Sequence, residues 1–154
     1  MRFRPTVFDI ICNILCLVLL IGSGVWIILQ WGDMPAQIPT HFDFAGNPNA
    51  YGSKMTIWGL YAVGWVIWLI IFICSFFPRT WSIGVKVAPQ NLGRAYAITF
   101  HFMHIINLLC VALLTYCLIA AITTAHAITA IFWGLLALVF IATAVMIFML
   151  FRLR

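Results

Sequence analysis

The chain has 154 residues, of which 66% are hydrophobic and 7% are charged. Soluble domains carry about 25% charged residues, and small domains leave a large part of their surface exposed. This composition therefore excludes a water-soluble fold and predicts an integral membrane protein. The net charge of +5 comes from eight Lys and Arg against three acidic residues. Because the basic residues lie between hydrophobic segments, we interpret them as determinants of membrane orientation and expect no binding of nucleic acid.

Four hydrophobic segments are long enough to cross a bilayer. They cover approximately residues 7–29, 56–77, 95–121 and 128–151. A segment of about 20 apolar residues spans roughly 30 Å as a helix, and in lipid the backbone must satisfy its own hydrogen bonds. We therefore predict an all-α integral membrane protein with a single four-helix transmembrane domain over residues 1–154. The expected location is the cell membrane, as a multi-pass protein.

The distribution of Lys and Arg predicts the orientation of these helices. With four crossings, only Lys54 falls on the side opposite the two termini. The seven basic residues on the side of the termini are Arg2, Arg4, Arg79, Lys86, Arg94, Arg152 and Arg154. Basic residues accumulate on the cytoplasmic side of membrane proteins. Both termini are therefore expected to be cytoplasmic, and the loop between helices one and two is expected to be external.

The first predicted helix carries polar residues near its cytoplasmic end. Asp9, Cys12, Asn13 and Cys16 lie on one face, because residues three and four apart are neighbours on a helix. Ionisable groups inside a membrane span are candidate functional residues. All five cysteines lie within hydrophobic segments, so no disulfide framework is predicted.

The external loop, residues 34–54, has the composition of an ordered segment. Its prolines restrict the backbone, and residues 46–49 read as a turn. Long loops that lack helix and strand are usually functional or disordered, and the aromatic content here argues against disorder. We therefore predict an ordered external loop.

The polar side chains of this loop are candidates for ligand binding. His41 and Asp43 face the same way in an extended chain, and such a pair could bind a metal, act in acid-base chemistry or hold a ligand. A structural interpretation is also open: the side chains hydrogen-bond the loop into shape, and Lys54 pairs with Asp43. The candidate ligand-binding residues are His41, Asp43, Asn49, Tyr51 and Lys54.

The loop also carries a family resemblance. The stretch Pro35-x-x-Ile-Pro-Thr-His-Phe-Asp-x-x-Gly-x-Pro-Asn-x-Tyr-Gly-Ser-Lys54 resembles the signature of a family of small bacterial membrane proteins known as a domain of unknown function. The same domain forms the N-terminal region of immunity proteins against a sporulation-delaying toxin. Asp43 stands where that family has Asn, and Asn49 stands where it has Asp. The resemblance implies a membrane protein of immunity or binding type.

Helix three carries a polar stripe in its cytoplasmic half. Its members fall within about 140° of one another on a helical wheel. They are Arg94, His101, His104 and Asn107. One interpretation is an interhelical network with Asp9 or Asn13. The alternatives are a path for protons or ions, and a metal site that includes cysteines of helices one and two; metal binding is left open.

The sequence favours binding over catalysis. It has no Gly-x-Ser-x-Gly, no His-Glu-x-x-His and no phosphate-binding glycine-rich loop, and the absence of Glu removes many acid-base schemes. We predict recognition of a peptide or lipid-linked ligand by the external loop, without a cofactor. The alternatives are an accessory subunit of a larger membrane complex, and a small transporter or membrane enzyme that uses His101 and His104. Besides the bilayer, a peptide, another membrane protein or a second copy of the chain are the partners considered.

Overall fold

The computed structural model describes residues 4–123 and 129–154. Its four helices are α1 Val7–Gln30, α2 Thr56–Ser75, α3 Leu92–Thr123 and α4 Thr129–Phe151. All four are long and apolar enough to cross a membrane, which confirms the prediction of four long apolar helices. The predicted first residue of the last helix, residue 128, lies outside the described residues.

Prolines explain where two of the helix boundaries differ from the prediction. Helix α2 ends at Ser75 and is followed by a 3-10 turn, Pro78–Thr80, because the residue before a proline disfavours helical geometry. Helix α3 begins at Leu92, directly after a 3-10 turn at Pro89–Asn91. Proline suits such a first turn, since its φ is preset and its missing N–H would be unpaired there.

The segment between α1 and α2 is a β-hairpin. Strand β1, Gln37–Phe42, pairs antiparallel with β2, Pro48–Ser53. The sequence prediction contained an ordered loop but no strands, so the hairpin is an addition to the predicted all-α architecture. The sequence does not predict these strands, because each contains a proline and neither shows a regular apolar-polar alternation.

Helix α3 is the central element of the fold. Helices α1, α2 and α4 all pack against it, and strand β1 contacts it as well. Helices α2 and α4 share little or no contact with each other in the part of the chain that the structure describes. Near the hairpin, Ile27 of α1, Ile57 of α2, Leu118 of α3 and Ile38 of β1 are buried in one cluster. The hairpin is therefore packed onto the helices and does not project freely from them.

The opposite end of the fold holds the C-terminus. Leu150 and Leu153 are buried with Ala95 at the start of α3, and the Asn91 side-chain amide donates to the Leu153 carbonyl oxygen at 3.1 Å. These contacts join the C-terminus to the segment before α3. We refer below to the hairpin end and the terminal end of the molecule.

Candidate functional site

Asp43 shapes the turn of the hairpin. Its Oδ1 accepts hydrogen bonds from the backbone N–H groups of Ala45 at 2.9 Å and Asn47 at 2.8 Å, and the Asn47 side-chain amide donates to its Oδ2 at 3.2 Å. Gly46 adopts a left-handed conformation in the turn, with φ of 83°. The hydrogen bonds from Asn47, the backbone bond foremost, lower the pKa of the Asp43 carboxyl. Asp43 is therefore an exposed, ionised carboxylate held in a fixed position.

Lys54 joins the hairpin to the end of α1. Its Nζ donates to the carbonyl oxygens of Trp31 at 3.0 Å and Met34 at 3.4 Å, and it lies 4.7 Å from the centroid of the Trp31 ring. Carbonyl groups after the last turn of a helix lack helical partners, and the helix dipole favours a cation there. These bonds replace the ion pair with Asp43 that was one interpretation of the sequence.

His41 and Asn49 are brought together by irregular strand pairing. His41 pairs with Ala50 and Phe42 pairs with Pro48, so Asn49 is an extra residue on β2. Such bulges redirect side chains. His41 Nδ1 donates to Asn49 Oδ1 at 2.5 Å, because a carboxamide oxygen can only accept. The Nε2 atom of the neutral His41 ring is then a hydrogen-bond acceptor, and the Asn49 amide nitrogen is a donor.

A cleft of about 760 Å³ lies between the hairpin and the helices. Ligand pockets occupy about 300–1,000 Å³. The hairpin contributes His41, Asp43 and Asn49 to the lining. The hairpin also contributes apolar side chains, among them Ile38, Phe42 and Phe44. Three helices contribute the rest, among them Ile57 and Leu60 of α2, Tyr116, Cys117, Ala120 and Ala121 of α3, and Phe132, Trp133 and Leu136 of α4. The cleft thus has an apolar interior and a polar edge.

An aromatic contact joins the hairpin turn to α4. The Phe44 ring stacks on the Trp133 ring with centroids 5.7 Å apart and planes 6° from parallel. Offset stacking at this distance is favourable for aromatic pairs. The contact joins the hairpin turn to α4 at one side of the cleft.

A second polar group is buried at the terminal end. The Asp9 side chain is fully buried, with 0% exposure. Thr6 caps α1: its backbone N–H and its Oγ1 hydroxyl both donate to Asp9 Oδ2 at 2.7 Å. The Asp9 N–H donates in return to Thr6 Oγ1 at 3.4 Å, which completes a capping box with Asp9 in the acidic position.

Asp9 also connects α1 to α3. His101 Nδ1 donates to Asp9 Oδ1 at 2.8 Å and Oδ2 at 3.0 Å. His104 Nδ1 lies 3.9 Å from Asp9 Oδ1, and donates to the Phe100 carbonyl oxygen at 2.9 Å. A carboxylate in an apolar layer is costly unless it is paired and hydrogen-bonded. The hydrogen bonds from Thr6 and His101 supply this compensation.

The other polar residues predicted on helices one and three are exposed or have partners other than the Asp9 carboxylate. The Asn13 amide donates to the Asp9 carbonyl oxygen within α1 at 2.9 Å. The Asn107 amide donates to the Trp68 carbonyl oxygen on α2 at 3.3 Å, and Arg94 is exposed. Across residues 4–123 and 129–154, no three His, Cys, Asp or Glu side chains come together as a set that could hold a metal ion.

A family model described as a domain of unknown function (DUF1648) matches residues 17–65. The matched span contains most of α1, the whole hairpin and the first half of α2. It therefore includes His41, Asp43, Asn49 and Lys54, whereas the α3 and α4 sides of the cleft lie outside it. No curated protein and no solved structure matches the chain.

Only some of the loop residues that were predicted to bind a ligand lie at the cleft. His41, Asp43 and Asn49 line the cleft. Tyr51 is 59% exposed and Lys54 is bonded to the end of α1, and neither is part of the lining. The residues that sequence reasoning missed are those of α3 and α4, such as Cys117 and Trp133, because an apolar residue that lines a cleft looks like one that faces lipid.

Proposed function

We propose that this is a binding protein that holds an amphiphilic ligand, lipid-linked or peptidic, in the cleft beneath the hairpin. The observation that carries the proposal is the composition of the cleft lining: apolar side chains from three helices and from the hairpin form most of it, and the hairpin adds imidazole, carboxylate and carboxamide groups at the edge. A ligand with an apolar body and a polar end matches this division. Binding sites of this kind combine apolar walls with a few well-placed polar groups.

The helices leave room for the apolar part of such a ligand. Helices α2 and α4 both pack on α3 but hardly touch each other, and α3 presents the small side chains Cys117, Ala120 and Ala121 between them. The four helices are long and apolar enough to span a bilayer. In the proposed arrangement the cleft opens toward the lipid, and a ligand can enter sideways from it. At the polar edge, His41 Nε2 can accept a hydrogen bond and the Asn49 amide can donate one.

The proposal places the hairpin on the outer face of the cell membrane. Its support is the charge distribution, with seven basic residues on the terminal side and Lys54 on the hairpin side. An impermeant thiol reagent applied to intact cells that express an Ala45→Cys variant tests the orientation, since Ala45 is exposed at the turn. Labelling is expected from outside; protection until the membrane is opened would contradict the orientation.

Cys117 offers a direct test of ligand binding. It lines the cleft, whereas Cys74 is exposed on α2 and is not part of the lining. In phosphatidylcholine nanodiscs, we expect monoolein to slow alkylation of Cys117 by N-ethylmaleimide and to leave Cys74 unchanged. Each cysteine is followed by mass spectrometry of its peptide. Equal slowing of both cysteines, or of neither, would contradict binding in the cleft.

The resemblance to the immunity-protein domain suggests a biological role for such binding. An immunity-type protein would capture a membrane-active molecule at the outer face before it inserts elsewhere. The test is the survival of cells challenged with such a molecule when they express wild-type protein or the Cys117→Trp variant, whose indole would fill the cleft. Equal survival of the two strains would contradict this role and leave binding itself unaffected.

A further inference from the structure

The two ends of the molecule carry opposite charge. Among the described residues, the terminal side has six of the eight Lys and Arg residues of the sequence, and Asp9 is the one acidic residue there. The hairpin side has Asp33, Asp43 and Lys54. Between Arg94 and Arg152 the sequence contains no Lys, Arg, Asp or Glu, so α3 and α4 bring no formal charge to the hairpin end.

Lys54, the cation of the hairpin end, does not line the cleft. Lys54 is bonded to two carbonyl oxygens at the end of α1 and lies over the Trp31 ring. Among the described residues that line the cleft there is no Lys and no Arg, whereas Asp43 is one of them. The edge of the cleft is therefore negatively charged. A phosphate or carboxylate placed there would be repelled by Asp43, and a cation would be attracted.

Aromatic rings strengthen this preference. Phe42, Phe44, Phe132 and Trp133 belong to the lining, and the Phe44–Trp133 stack lies where the hairpin turn meets α4. The faces of aromatic rings carry negative electrostatic potential and attract ammonium groups, most strongly for Trp. A carboxylate beside several rings is a suitable site for an ammonium group that carries a hydrocarbon chain.

We infer that the ligand of the cleft is a cationic amphiphile, with an ammonium end between Asp43 and the aromatic rings and a hydrocarbon chain between α2 and α4. This inference rests on the proposed binding function and specifies the chemical class of its ligand. Asp43 serves it well because the turn already fixes the carboxylate through the N–H groups of Ala45 and Asn47. The ligand then meets a charge whose position is set before binding.

The test compares three amphiphiles that share a hexadecyl chain: hexadecyltrimethylammonium, hexadecyl maltoside and hexadecyl phosphate. Each is added to the protein in phosphatidylcholine nanodiscs, and alkylation of Cys117 is measured relative to Cys74. We expect the ammonium compound to protect Cys117 at a concentration about threefold to tenfold lower than the maltoside, as exposed ion pairs and cation–π contacts allow. The phosphate compound should protect least.

Two variants at Asp residues separate charge from shape. Asp43→Asn keeps an oxygen that can accept from Ala45 and Asn47, so the turn is retained while the charge is lost. It should remove most of the advantage of the ammonium compound and leave protection by the maltoside unchanged. Asp33→Asn removes an exposed carboxylate that does not line the cleft. It should change neither the advantage of the ammonium compound nor the protection by the maltoside.

The outcomes distinguish this inference from the binding function beneath it. Equal protection by all three amphiphiles, or strongest protection by the phosphate, overturns the cationic preference and leaves binding in the cleft intact. If Asp43→Asn weakens all three amphiphiles alike, Asp43 does not select charge and the inference is contradicted. If none of the amphiphiles protects Cys117, the proposed function fails together with the inference.

Discussion

Asp9 and Asp43 both accept hydrogen bonds from nearby backbone N–H groups, but in opposite surroundings. Asp9 is fully buried at the terminal end, and its oxygens are bonded to Thr6 and to His101 of another helix. Asp43 is exposed at the hairpin end, and its partners all belong to its own turn. The oxygens of the buried Asp9 carboxylate are occupied by hydrogen bonds, and those from His101 join α1 to α3. The exposed one keeps its charge available at the edge of a cleft.

The comparison shows how a highly apolar chain can divide its few charges between stability and recognition. A buried carboxylate needs hydrogen-bond partners, and the oxygens of Asp9 are already bonded to Thr6 and His101, so the Asp9 group is closed to outside ligands. At the hairpin end, Lys54 has the structural role and Asp43 is left unpaired by any cation among the described residues. Substitutions and changes of pH at the two ends test this division.

Removal of the Asp9 carboxylate should have the largest effect. In Asp9→Ala, α1 loses its capping box and His101 loses its partner, so we expect the free energy of unfolding to fall by about 3 kcal/mol. Unfolding by dodecyl sulfate in mixed micelles, followed by circular dichroism, measures the loss. Asp33→Ala, which removes an exposed carboxylate, is the matched control. Equal stability of the two variants would show that the buried pair does not hold the helices together.

Lys54 should prove structural. Lys54→Met removes two charge-assisted hydrogen bonds at the end of α1, and we expect a loss of about 2 kcal/mol in the same unfolding experiment. Lys86 is exposed in the segment before α3, and Lys86→Met should change stability little. A stable Lys54→Met protein with impaired ligand binding would instead return Lys54 to the set of ligand-binding residues.

Substitution of His41 should weaken ligand binding, whereas substitution of Tyr51 should not. His41→Ala removes the imidazole from the polar edge, and loss of about 1 kcal/mol of hydrogen bonding corresponds to roughly fivefold weaker binding. Tyr51→Ala should leave affinity unchanged, because Tyr51 does not line the cleft. Protection of Cys117 by monoolein provides the measurement. If Tyr51→Ala weakens binding as much as His41→Ala does, the assignment of His41 alone of these two residues to the cleft is contradicted.

The pH dependence of the turn should be the smallest effect. Because hydrogen bonds from Asn47 lower the pKa of Asp43, the ionised carboxylate stabilises the turn at neutral pH. That contribution is lost as the pH falls below the ordinary carboxyl range, near about pH 4. Hydrogen exchange at the Asn47 amide should accelerate there in the wild type, after correction for intrinsic exchange, and should be independent of this titration in Asp43→Asn. The same acid response in both proteins would assign it to another group.

Hydrophobic length made most of the fold predictable. A helix that crosses a bilayer needs a run of about 20 apolar residues, and four such runs gave boundaries within three residues of the structure wherever it describes them. The hairpin was not predictable in the same way, since Pro39 and Pro48 lie within strands whose positions depend on packing against α1, α2 and α3. The pairing of the two short strands leaves no recognisable pattern in the sequence.

The candidate site was predictable only where its chemistry is local. His41, Asp43 and Asn49 stand out because turn-forming and titratable residues are rare in this chain. The role of Lys54 was missed because its partners are backbone carbonyl groups 23 and 20 residues earlier. Trp133 was missed because its stacking on Phe44 joins elements far apart in the sequence.

Occupancy of the cleft is the central claim, and native mass spectrometry of protein released from its expression membrane tests it most directly. The wild type is compared with Cys117→Trp, which fills the cleft, and with Ala62→Trp, which adds the same side chain at an exposed position on α2. The wild type and Ala62→Trp should retain a bound amphiphile that Cys117→Trp lacks. The same bound species on all three proteins, or on none, would contradict the claim.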